Sequence, residues 1–139
     1  VQTCALPICI FDYFAAGWNR DGLALRGAGQ LLRAAPADKH LLILLTDASP
    51  DDSHKIPPTG KIPLSREYDG QAGVSDTADE VRALRRGGTR VAAVFMGESA
   101  NVPNANAIYG RDLARIRRMD QLAAAAGRLI QDEIRELAD

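Results

Sequence analysis

The stretch HLLILLTDASPDD, residues 40–52, decides the fold. Leu41 to Leu45 form an unbroken aliphatic run between a charged start and an aspartate-rich turn, with no alternation of polar and apolar positions. Such a run suits a strand buried on both faces of a parallel sheet. The strand should end about Thr46, and Asp47 then follows directly. Ligands of open parallel sheets bind in the crevice beyond the carboxyl ends of the strands. Asp47 is therefore the sharpest single candidate for chemistry, with Ser49, Asp51 and Asp52 adding oxygens nearby. Clustered oxygen donors suit a hard cation such as Mg²⁺, which takes one or two protein carboxylates and keeps several waters. On the residues alone the simpler reading is that Asp47 forms an Asx turn with the following backbone and leads the chain out of the sheet.

Working outward, NRDGLALRGAGQLLRAAP (residues 19–36) places Ala24, Ala28, Leu31, Leu32 and Ala35 on one helical face. Asn19 or Asp21 can cap this helix, and Pro36 lies just beyond its end. On the other side of the strand, Ala48 to Val74 carries four prolines and three glycines among many charges, which predicts a long connection without regular structure. Ser75 and Asp76 open a second helix through Arg86, with Ala78, Val81 and Leu84 inward and Gly87-Gly88 as its stop. RVAAVFMG, from Arg90, reads as another buried strand. A short helix near Ala105 to Tyr109 and a brief strand in LARIR follow. Asp120 then caps a terminal amphipathic helix with Leu122, Ala126, Leu129, Ile130, Ile134 and Leu137 on its apolar face. Helix alternating with buried strand predicts right-handed crossovers and a Rossmann-like, doubly wound parallel sheet of the α/β class.

Composition narrows the function. With 139 residues the chain suits one domain, and 17 Lys+Arg against 18 Asp+Glu give a formal charge of -1, which favours neither nucleic acid nor an anionic membrane. The longest apolar run is far short of the ~20 residues of a membrane span. We expect a soluble, cytoplasmic product. Cys4 and Cys9 cannot build a disulfide framework, and His40 and His54 lie in no zinc-like spacing with them. Neither GxGxxG nor GxxxxGK[ST] occurs, so no phosphate cradle is indicated. The arginines of RRGG and ARIRR read as solvated ends of elements or, alternatively, as a partner-binding patch. Trp18 and Tyr109 read as packing anchors or rim residues.

NRDGLALR opening a helix, followed by a strand ending in TDASPDD, resembles the von Willebrand factor type A family. The likeness is to the bacterial branch that includes the cobalt-chelatase T-type subunit and the nitric oxide reductase activation protein. It departs at Ala48, where glycine is usual, and continues more weakly through SDTADEVRALRRGGTRVAAVFMG to IYGRDLARIRRMDQLAAAAGRLI. The resemblance implies a metal-ion-dependent adhesion site for Mg²⁺ or Mn²⁺. Asp47 matches the family's aspartate after the fourth strand, and Asp21 falls where the family has a threonine. The family's Asp-x-Ser-x-Ser occurs nowhere in this chain. Residues 1–8, VQTCALPI, resemble a translated short-read sequencing adapter, the alternative being a natural N-terminal arm; on the first reading we expect residues 9–139 to be the C-terminal part of such a domain, lacking its first strands. The expected role is a non-catalytic interaction domain in which a partner's acidic group completes the metal. The implied partner is a protein, such as a MoxR-type AAA+ ATPase or a chelatase-like assembly. The alternative is a Rossmann-like metal-dependent hydrolase or phosphotransfer domain that uses Asp47.

Overall fold

A computed structural model describes residues 18–52 and 68–138 of the chain. Its elements run α1 (Asp21–Ala34), β1 (His40–Thr46), α2 (Gly70–Arg86), β2 (Thr89–Phe95), α3 (Val102–Tyr109), β3 (Leu113–Arg115) and α4 (Leu122–Ala138). Short 3₁₀ turns at Ser99–Asn101 and Met119–Gln121 lead into α3 and α4. The three strands are parallel in the order β1-β2-β3, with Leu42 beside Val91, Leu44 beside Ala93, and Ala93 beside Leu113.

The two-residue period of the strands sorts the core into two layers. Leu42, Leu44, Val91, Ala93 and Leu113 face Leu25 of α1, the Val74-Ala78-Val81-Leu84 stripe of α2, and Ile108 and Tyr109 of α3. Ile43, Val94 and Ala114 belong to the opposite layer, with Ile116, Leu122, Ala125 and Leu129 on the α4 side. Helices thus cover both faces, as the alternation of elements predicts. Val91, Ala93, Val94 and Phe95 are all fully buried, so β2 is the strand that the sheet is built around.

Several expectations are corrected. β1 is not buried on both faces: its residues are half-buried and Leu45 is 53 % exposed. It is the edge strand among the described residues, and α4 packs on β2 and β3. In α1 the face that carries Ala24, Ala28, Leu31, Leu32 and Ala35 is not the buried one, because Gly22, Leu25 and Gly29 are buried whereas Leu31 is 76 % exposed. The cause is close helix packing: a Cβ on Gly29 would stand 2.5 Å from the Leu84 side chain, so the small residues mark the contact. α2 begins at Gly70, not at Ser75, because the Asp69 carbonyl already accepts from the N–H groups of Ala72 and Gly73. That leaves Asp76 inside the helix, where it is buried. α3 likewise starts earlier than Ala105, with Pro103 in its first turn. Asp120 lies within a 3₁₀ turn, and Gln121 Oε1 instead accepts from the backbone N–H groups of Arg117 and Arg118. On α4, Ile130 and Ile134 of the expected apolar face are exposed.

Candidate functional site

The two stretches singled out by sequence meet at the carboxyl end of β1. Asn19 forms an antiparallel bridge with Asp51, its N–H donating to the Asp51 carbonyl at 2.8 Å, and its side-chain oxygen accepts from the Asp51 N–H. One residue on, Arg20 Nε donates to Asp52 Oδ2 at 2.5 Å in a buried pair. The Asp52 backbone in turn pairs with Tyr68, and the Arg20 guanidinium lies 4.9 Å from the centre of the Tyr68 ring. The long connection is thus anchored at both described ends, with Ala48, Pro50, Asp52 and Tyr68 buried.

Below this junction a buried polar knot ties α1 to α2. The Gly22 N–H donates to the Tyr68 hydroxyl at 3.1 Å, and that hydroxyl donates to Asp76 Oδ2 at 2.7 Å. Arg26 Nη2 donates to Asp76 Oδ1 at 2.9 Å and its Nε to Glu80 at 2.7 Å. A buried carboxylate is tolerable only when its lone pairs and charge are answered in this way. A Cβ on Gly22 would fall 2.1 Å from Asp76 Oδ2, so the glycine of NRDG is needed for close approach. Burial pushes the Tyr68 phenol up to about 12, and the neighbouring Asp76 acts in the same direction against the hydrogen bond with Thr77. Sequence reasoning missed Tyr68. The only signal was an aromatic residue in an otherwise polar stretch, the kind that is buried when its hydroxyl can find partners.

Above the knot stand the two predicted metal ligands. Asp47 is exposed, and its Oδ1 accepts from the Ser49 N–H at 3.1 Å, so the Asx turn considered for this residue is present. Ala48 takes a left-handed backbone, φ 53°, while its side chain is buried with Phe95 and Ala105. Its N–H donates to Thr46 Oγ1 at 2.9 Å. Asp21, in the first turn of α1, accepts from Asn19 Nδ2 at 2.7 Å. Burial raises its pKa against the lowering effect of Asn19, and the charge of Asp47 raises it further. The two carboxylates therefore feel one another, and a cation between them would relieve that repulsion. Among the described residues one oxygen of each is engaged by the protein, which leaves the other of each able to face a metal. Two oxygens are part of an octahedral set, and no group of three or more His, Cys, Asp or Glu suited to a metal occurs among the described residues.

Other candidates fall elsewhere. His40 opens β1 at the opposite end of the sheet, about 20 Å from Asp47 for a strand of this length. Tyr109 is fully buried, as a packing anchor should be, whereas Trp18 is exposed. Arg85 of RRGG is only partly solvated: its Nη2 donates to the carbonyls of Val91 and Tyr109 and pairs with Asp112. Arg115 and Arg117 of ARIRR are exposed at the end of β3, and Arg118 pairs with Asp120. Cys4, Cys9 and His54 lie outside the described residues.

The fold defines an α/β protein whose three-stranded parallel sheet is flanked by helices, an arrangement compatible with the Rossmann-like class. No protein-family model, curated protein or solved structure matches the chain. No helix among the described residues is long and apolar enough to cross a membrane.

Proposed function

We propose that this chain is part of a von Willebrand A-type interaction domain of the cytoplasm. Asp47, with Asp21 in the second position, supplies part of a Mg²⁺ or Mn²⁺ site that an acidic group from a protein partner completes. The partner class is that implied by the family resemblance, an AAA+ ATPase of the MoxR type or a chelatase-like assembly. The observation that carries the reading is the meeting of NRDG and TDASPDD at the carboxyl end of a parallel strand, with Asp21 and Asp47 in electrostatic reach of one another. Ala48 adds to it. The resemblance expects glycine there, and the backbone has the positive φ that glycine favours, so the departure lies in the side chain and not in the turn.

Metal titration followed by amide chemical shifts tests the reading. Weak Mg²⁺ binding is expected, with shifts concentrated at residues 19–21 and 46–49, and Asp47→Ala should remove them while the fold persists. Two carboxylates should hold Mg²⁺ only weakly, because it dehydrates reluctantly. Tight binding with Asp47 dispensable, or no response at these residues, would overturn the assignment.

A further inference from the structure

The carboxyl ends of β2 and β3 border a second feature, an open depression at the surface. Residues 96–99 and 115–117 line a cavity of about 460 Å³ whose charged groups are two arginines and one glutamate. Arg115 Nη2 donates to Ser99 Oγ at 3.0 Å, and its guanidinium lies 5.9 Å from the centre of the buried Phe95 ring. Arg117 is fixed at its backbone, where the N–H donates to Gln121 Oε1 at 2.8 Å. Neither guanidinium is paired with a carboxylate among the described residues, although Arg118 beside them pairs with Asp120, and Arg85 and Arg90 both pair with Asp112. The cavity adjoins the Asp47 turn directly, since a Cβ on Gly97 would lie 2.7 Å from the Asp47 carbonyl oxygen.

We propose that this crevice is a carboxylate-binding subsite for an acidic segment of the protein partner, held by Arg115 and Arg117 beside the Asp47 site. The inference rests on the function proposed above for its choice of partner. Guanidinium groups bind carboxylates through paired N–H donors, and one already oriented by a hydroxyl and an aromatic face loses less freedom on binding. Geometry sets the scale. Adjacent strands lie ~4.8 Å apart, so the ends of β1 and β3 are about 10 Å apart, close to the length of three residues of a polyproline II segment, in which every third side chain returns to the same face. One acidic side chain can then reach the metal at Asp47 while another, about three residues along, reaches the arginines. Glu98, exposed on the rim, opposes the acidic segment and tunes its affinity downward.

The test is fluorescence anisotropy of a labelled synthetic peptide carrying aspartates three residues apart, against its asparagine counterpart, with Mn²⁺ and with EDTA. The acidic peptide should bind and the neutral one should not. Arg115→Ala with Arg117→Ala should weaken binding at least tenfold, Arg117→Ala alone severalfold, and Glu98→Gln should strengthen it about twofold. Circular dichroism should show the fold of each variant unchanged; Arg117→Ala removes a side chain with no hydrogen bond or ion pair among the described residues, so it keeps the test open should the double variant misfold. Dependence on Arg115 and Arg117 in EDTA, with Asp47→Ala without effect, would uphold the subsite and sink the metal site. Dependence on Asp47 and Mn²⁺ alone, with the arginine variants binding normally, would overturn the subsite and leave the metal site standing. Inorganic phosphate binding as tightly as the peptide would also overturn the proposal, because the crevice would then hold a small anion and not a protein segment.

Discussion

β1 and β2 are both seven-residue strands, paired in parallel along their whole length, and they end up in opposite circumstances. HLLILLT is the more hydrophobic, yet its residues are half-exposed, whereas TRVAAVF is buried almost throughout. Position in the sheet explains the difference. β2 has a strand on either side and helices on both faces, so even alanines suffice to fill its layers. β1 has a strand on one side only among the described residues, and its Leu45 face lacks the cover that α4 gives to its neighbours. Hydropathy therefore reports how much cover a strand needs. It does not report which part of a molecule provides it.

Substituting both strands should break the comparison most sharply. Val94 is 1 % exposed, and Val94→Asp would place an unpaired carboxylate in the α4 layer. The cost of several kcal/mol is comparable with a typical domain stability of about 5–15 kcal/mol, so the cooperative unfolding transition should disappear. Leu45→Asp, at an exposed position of the edge strand, should move stability by only about 0.5 kcal/mol. The same change should reduce self-association, because an apolar edge with unpaired N–H and C=O groups is a template for strand pairing. Urea denaturation and light scattering at tens of micromolar would measure both effects. Equal destabilisation by the two substitutions would show that β1 is as enclosed as β2.

An intermediate effect should separate the covered side of the sheet by pH. Tyr68, in the knot between α1 and α2, has its phenol pushed up to about 12 by burial, and burial pushes Tyr109 in the same direction. In the unfolded chain these phenols ionise from about pH 10. The folded state binds the proton more tightly, so this contribution to stability is fully present below pH 10 and falls as the pH rises towards 12. Each such phenol contributes a slope of at most about 1.4 kcal/mol per pH unit. Tyr68→Phe should lower stability at neutral pH by about 1–3 kcal/mol, through loss of the bonds to Gly22 and Asp76, yet flatten the alkaline decline. An unchanged slope between pH 10 and 12 would mean that Tyr68 is not held neutral by its surroundings.

The order of elements was legible because periodicity marked the helices and continuous apolar runs marked β1 and β2: every helix and strand expected from α1 to α4 is present, with boundaries displaced by a few residues. What stayed hidden had no periodic signature. The contact face of α1 is set by Gly22 and Gly29, which carry no hydropathy but permit close packing against Asp76 and Leu84. Asp76 looks like a helix cap in sequence and serves as the buried partner of Tyr68 and Arg26. Of the candidate site, Asp21 and Asp47 were legible as carboxylates beside turns. Their coupling depends on the Asn19-Asp51 and Arg20-Asp52 pairs, each formed by residues 32 apart in the chain, which no local pattern announces.

A small effect is expected for Ala48→Gly, where β1 joins the turn and touches β2. Ala48 holds φ 53° and buries its methyl against Phe95 and Ala105, so backbone and side chain pull in opposite directions. A left-handed backbone costs a non-glycine residue roughly 1–2 kcal/mol, and Ala48→Gly would relieve that. Against it stand the loss of a buried methyl, about 0.8 kcal/mol, and the greater chain entropy of unfolded glycine, about 0.5–1 kcal/mol. These nearly cancel, so Ala48→Gly should change stability by less than about 1 kcal/mol. Ala48→Val should behave differently. Branching at Cβ makes a positive φ a severe outlier, and the site has no room for two further methyls, so a loss of more than about 2 kcal/mol is expected. Parallel urea titrations of the two variants measure the contest. If Ala48→Gly destabilised as much as Ala48→Val, the methyl packing on Phe95 would outweigh the backbone strain, and the junction between the two strands would be held by the side chain and not by the turn.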